Sequence, residues 1–146
     1  MRVSLFSKTL VAAQMLCIVS LVWSGRCWPH SSTGLLLLLI AALVLIAALL
    51  AFRRSRLSVF PEPATGAKLL QHGIYAYIRH PLYTAVLLGT AAYLPAPWAW
   101  WRGLLWLLLL IILLLKIRFE ESLLRKAFAD YGSYQQHTWR LLPLIY

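Results

Sequence analysis

The chain has 146 residues, 62% hydrophobic and 12% charged, with a mean hydropathy of +0.75. A soluble domain is about 45–50% apolar and about 25% charged, so an ordinary globule, a disordered chain and a disulfide scaffold are excluded. The net charge of +10 comes with no Lys/Arg-rich recognition helix and no zinc pattern, so a lipid bilayer rather than nucleic acid is the expected partner.

A membrane span needs about 20 apolar residues. The first uncharged stretch, about 9–25, follows Arg2 and Lys8; the Ser-Gly-Arg-Cys-Trp segment after it lacks a small-x-small cleavage pattern, so it reads as a retained helix. The second, about 33–52, is capped by Ser32 or Thr33 and ends at Arg53-Arg54-Ser55-Arg56. The third, about 81–94, stops at Pro95 and Pro97. The fourth, about 101–117, is the other arm of a tight hairpin, with Arg102 and Lys116 snorkelling to the interfaces. The expected fold is an all-α integral membrane protein of about four transmembrane helices in one domain. A cytosolic loop 53–80 and a cytosolic helical tail 118–146 complete it. Both termini inside puts twelve of the fourteen Lys and Arg on the cytosolic face and leaves Arg26 and Arg102 outside, as the positive-inside rule requires.

Loop and tail hold all four acidic residues, so chemistry is expected there. In Gln71-His72-Gly73-Ile74-Tyr75-Ala76-Tyr77-Ile78-Arg79-His80-Pro81-Leu82-Tyr83, Gly73 permits a turn and Pro81 suits the first position of a helix, with His80 as its cap. A helix N-terminus favours an anion, and the planar fork of Arg79 suits a carboxylate or phosphate. The tyrosine faces suit an adenine ring or a cation. An interfacial aromatic belt with Arg79 as a topology charge accounts for the same residues.

In the tail, Ile117, Leu124, Ala127 and Phe128 form one helical stripe that includes Glu120, while Glu121 falls off it and pairs with Arg125 at i+4. Glu120 is therefore expected to face inward, as a functional carboxylate or as a partner of Lys116, and Glu121 outward. The aromatic, basic segment from Asp130 to Pro143 can fold back on the loop. Cys17 and Cys27 read as small hydrophobes, and His30, His72 and His137 as surface residues. No metal site is expected.

Gly73-x-Tyr75-x-x-x-Arg79-His80-Pro81-x-Tyr83, a short helical hairpin, Glu120-Glu121-x-x-Leu124, a Tyr-x-x-Tyr and a terminal Leu-x-Pro resemble the isoprenylcysteine carboxyl methyltransferase / phospholipid methyltransferase superfamily over about half the chain. The resemblance implies that S-adenosylmethionine binds at the cytosolic face, between the Arg-His-Pro loop, the hairpin and the Glu-Glu helix. Gly73, Tyr75, His80, Pro81, Tyr83, Glu120 and Glu121 would serve the cofactor, and Arg79 and Glu120 catalysis. A lipophilic or lipidated substrate would enter sideways from the bilayer. A carboxylate acceptor needs a cation, Arg79, to place it; an amine acceptor needs a base, Glu120. Two other classes compete: an NADPH-dependent membrane reductase of related fold, and a non-catalytic small membrane protein.

Overall fold

The computed structural model describes residues 5–25, 29, 31–52, 69–95 and 99–143. The basic run Arg53-Arg54-Ser55-Arg56, and Cys27, His30 and Pro97, lie outside them. Among the described residues the protein is all-helical: α1 Leu5–Ser24, α2 Ser32–Phe52, a 3-10 turn Gly73–Ala76, α3 Pro81–Ala91, α4 Trp100–Ala127 and α5 Tyr131–Gln136. Helix α1 packs on α4 and α2 packs on α3, with α3 joining the two pairs. Leu5–Ser24 and Ser32–Ala51 are long and apolar enough to cross a membrane. Their outward faces carry exposed Leu16, Val19, Leu36, Leu39, Leu43 and Leu50. A soluble monomer does not present so continuous an apolar surface.

The helix ends follow local chemistry, with two differences from the expectation. The cap of α2 is Ser31, not Ser32 or Thr33: its Oγ accepts the Gly34 N–H at 3.0 Å. Gly34 is required there, since a Cβ would stand 2.6 Å from the Ala92 carbonyl oxygen where α3 ends against α2. Helix α4 does not stop at 117 but runs unbroken for 28 residues. From Leu104 to Ala127 it holds neither Gly nor Pro, and its Leu, Arg, Lys and Glu are good helix formers.

The core joins Leu10, Cys17 and Leu21 of α1, Leu87 of α3 and Leu109, Ile112, Leu113 and Ile117 of α4. Between lipid-facing helices such contacts act through close packing rather than exclusion of water. Arg102 and Lys116 do not snorkel: they are 3% and 2% exposed. Arg102 donates to the carbonyls of Ser24 and Tyr93, with its guanidinium 5.6 Å from the Trp101 ring. It thereby ties the C-terminal ends of α1 and α3, where free carbonyls attract a cation, to the start of α4.

Candidate active site

At the opposite end of the bundle, the N-terminus of α3 meets the C-terminal half of α4, the 3-10 turn and the tail. Gly73 begins the turn with φ +62°, a left-handed conformation that suits glycine. Pro81 occupies the first turn of α3 and His80 is its cap, as expected. The tail folds back on this segment. Arg79 N–H donates to the Trp139 carbonyl at 2.8 Å, His80 N–H to that of Arg140 at 3.0 Å, and Trp139 N–H to that of Tyr77 at 3.0 Å. The Thr84 hydroxyl adds a bond to the Leu141 carbonyl at 2.7 Å, and the Tyr134 hydroxyl one to the Tyr75 carbonyl at 2.7 Å.

The two glutamates are placed oppositely to the helical stripe. Glu121 is 2% exposed, whereas the Glu120 side chain is 24% exposed. The cause is the continuity of α4. Leu109, Leu113, Ile117 and Glu121 form one i+4 row on the buried face, and Lys116 and Glu120 lie on the row beside it. Ala127, counted on the expected inward stripe, is exposed.

Glu121 is the hub of an ion-pair cluster. Its Oε1 accepts from Arg79 Nε at 3.0 Å, and its Oε2 pairs with Arg140 Nη2 at 3.0 Å. Arg125, its expected i+4 partner, approaches only to 3.9 Å. Burial alone would raise the Glu121 pKa, but contacts from His80 and Arg140 outweigh it and hold the carboxyl at about 2.

Arg79, expected to face a ligand carboxylate, spends its fork inside the protein. Besides Glu121, its Nη1 donates to the Gln135 carbonyl at 3.1 Å and to both the carbonyl and the hydroxyl of Thr138. It latches the tail. Pro81 is likewise fully buried and packs in the interior.

Around Glu120 the arrangement is more open. Its Oε2 accepts the Tyr83 hydroxyl at 2.9 Å and lies 3.6 Å from His80 Nδ1, while Oε1 meets no donor among the described residues. The His80 and Tyr83 rings stack, 5.5 Å apart and 3° from parallel. On the other side of His80, Nε2 is buried 3.5 Å from Glu121 Oε1, without a hydrogen bond. The imidazole thus stands between two carboxylates, and only its protonated form can donate to both. Tyr75 is buried beside them; burial first, then the charge of Glu120, pushes its phenol up. Tyr131 is pushed up by burial and by Glu121, and its hydroxyl is buried without a partner among the described residues. Burial also pushes Tyr134 up to about 12, although Arg79 works against it.

Sequence reasoning counts Arg140 only as a topology charge and does not single out Gln14 or Thr138. Lys116 does not pair with Glu120; its Nζ donates to Gln14 Oε1 at 2.9 Å. A glutamine in the middle of an apolar stretch is the signal that marks this partner.

Fold and site together define a helical membrane protein with a carboxylate, imidazole and phenol cluster at one end of its bundle. The family model described as phospholipid methyltransferase matches residues 30–131. The chain belongs to that family, which implies a methyltransferase acting on lipid-type substrates. No curated protein and no solved structure is detectably similar to the chain.

Proposed function

We propose that the protein is an S-adenosylmethionine-dependent methyltransferase that methylates an amine on a membrane lipid. Its site lies at the cytosolic face of a four-helix membrane domain with both termini inside. The observation that carries this reading is Glu120: half-buried, held at one oxygen by Tyr83, and without a donor among the described residues at the other.

The residues present fit the cofactor. A free carboxylate oxygen suits an ammonium or sulfonium, and phenol faces suit a cation or an adenine ring. The start of α3 suits a carboxylate. Tyr75, Tyr83, His80 and Glu120 are the residues that would hold it, with Gly73 shaping the turn beneath Tyr75. Glu121 and Pro81 support this wall from behind. When bound, S-adenosylmethionine supplies an activated methyl group.

An amine acceptor must shed a proton to expose its lone pair, and Glu120 is placed to take it. A carboxylate acceptor would need a cation to orient it, but the Nε and Nη1 of Arg79 are held by Glu121 and the tail. This favours the amine over the carboxyl acceptor, with Arg79 as a positioning residue. Burial of the cluster excludes water from the transfer.

The membrane reading draws on lengths. Helix α4 rises about 42 Å over its 28 residues, enough to cross the hydrocarbon core and carry Glu120 and Glu121 clear of it. Helix α3, at 11 residues, rises only about 17 Å, so a local thinning of the bilayer accompanies it.

Titrating the purified protein in lipid nanodiscs with S-adenosylmethionine and with NADPH tests this function. Binding of the first and methylation of phosphatidylethanolamine are expected, with Glu120→Gln slowing turnover by about 10²–10⁴-fold. NADPH binding, or binding of neither, overturns the reading. Transfer to an isoprenylcysteine carboxylate instead overturns the choice of acceptor.

A further inference from the structure

Helix α1 ends before residue 30, where the match to the phospholipid methyltransferase family begins. It could be read as an anchor added to a complete enzyme. Its buried polar residues contradict that: Ser7 and Gln14 both face the interior. Gln14 accepts a hydrogen bond from Lys116, and Lys116 Nζ lies 5.0 Å from the centroid of the Tyr83 ring. The hydroxyl of the same tyrosine donates to Glu120 Oε2 at 2.9 Å. Lys116 also feels the charge of Glu120, one helical turn further on.

We propose that α1 is part of the catalytic apparatus: Gln14 holds Lys116 against the face of Tyr83, and this chain positions the Glu120 carboxylate. The proposal rests on the methyltransferase reading and on the role of Glu120 within it.

A lysine near the end of a membrane helix ordinarily extends to the interface. Lys116 instead turns inward, where an ammonium is costly unless it is partnered. A purely structural contact between α1 and α4 would be served as well by two apolar residues, since buried polar pairs seldom improve stability over hydrophobic replacements. What an apolar pair cannot supply is charge. A cation over the face of a phenol draws on the ring electrons and makes the hydroxyl a better donor. Here that hydroxyl holds the one carboxylate oxygen of Glu120 that has a hydrogen bond among the described residues. Lys116 therefore fixes the orientation of Glu120 through Tyr83 and sets a positive charge one helical turn from it. Gln14 is neutral, so it satisfies the ammonium without cancelling the charge. Among the described residues, the groups that face Glu120 are Tyr75 in the 3-10 turn, His80 capping α3, Tyr83 on α3, Tyr131 on α5 and Lys116 on its own helix.

The test uses the full chain in lipid vesicles, with wild type and Glu120→Gln assayed beside Gln14→Leu, Lys116→Met and the double variant. Gln14→Leu alone leaves the ammonium without an acceptor and lowers the unfolding temperature. The double variant restores it toward wild type, yet keeps kcat down about tenfold or more per folded molecule. Its acidic limb of the pH–rate profile moves to higher pH, because a positive charge beside the base is gone. A double variant with wild-type kcat and pH profile overturns the proposal and leaves Gln14–Lys116 a structural pair. If the double variant does not fold, Gln14→Glu decides. It keeps an acceptor for Lys116 but cancels its charge, so kcat falls and the acidic limb shifts the same way; wild-type kinetics in Gln14→Glu overturn the proposal. A wild-type chain that transfers no methyl, or a Glu120→Gln variant as fast as wild type, overturns the reading of Glu120 and this proposal with it.

Discussion

Helix α4 buries one cation at its start and another past its middle and satisfies them by different means. At the N-terminal end, Arg102 donates to the backbone carbonyls of Ser24 and Tyr93, the leftover acceptors of two other helices. Past the middle of the helix, Lys116 meets only side chains among the described residues: the amide of Gln14, the ring of Tyr83 and the field of Glu120. Backbone carbonyls do not titrate and barely move, so the first arrangement is a staple. An amide, a phenol and a carboxylate can shift with ligand and protonation, so the second is suited to chemistry. A buried charge in a membrane domain is informative less by its presence than by what kind of group answers it.

The largest effect that would sharpen this contrast is expected at Glu121. Glu121→Ala leaves Arg79, Arg140 and the half-exposed Arg125 without their shared carboxylate. Breaking one side of a buried ion pair costs about 3–5 kcal/mol, so thermal unfolding should come much earlier and the segment 128–143 should become protease-sensitive. Glu120→Gln should leave both measurements near wild type; equal losses in the two variants would erase the distinction between hub and open carboxylate.

The same cluster sets a pH dependence. Glu121 titrates at about 2 in the folded protein against an ordinary value of 4.5, so the unfolded chain takes up its proton first. The stability it contributes is fully present above pH 4.5 and is lost as pH falls toward about 2. Protection of the tail from proteolysis, followed from neutral to acid pH, should decline across that window in wild type. The Glu121-dependent part of the decline should be missing from Glu121→Gln.

A smaller effect is expected at the staple. Arg102→Leu leaves carbonyls without a donor at a cost of about 1–3 kcal/mol, read as a lower unfolding temperature. Methyl transfer per folded molecule and its pH profile should stay unchanged. A shifted profile would mean that this end also reaches the site. The smallest is Gly73→Ala, at about 1 kcal/mol for a left-handed alanine, detected as a small drop in unfolding temperature that Gly73→Asn partly avoids.

Much of the architecture is legible in the residues. Pro81 announces the start of α3 because its fixed φ and missing N–H fit only a first turn, and His80 as cap follows. The return of the tail is legible from its aromatic and basic content. The phase of the glutamates is not. A helix assumed to end at 117 cuts the row Leu109–Leu113–Ile117 off before Glu121, and only the unbroken α4 carries it on. The role of Arg79 is hidden for a related reason: its acceptors at Gln135 and Thr138 lie more than fifty residues away in sequence. Arg79 meets a carboxylate through its Nε, and that carboxylate belongs to Glu121. Lys116 and Arg102 look like interfacial charges because their length permits it, and only the packing of α1 and α3 shows them turned inward.

The strap made by residues 138–141 also fixes an order of events in the birth of the protein. Residues 77–80 leave the ribosome before it, so for an interval that segment lacks its partner. Ile78 and Trp139 then meet across a long stretch of chain. In the interval Arg79 lacks its acceptors at Gln135 and Thr138, and the wall around Tyr75 has not received Tyr134. A nascent chain that has made residues 77–80 is therefore incomplete at the site until residues 134–141 have followed and folded back.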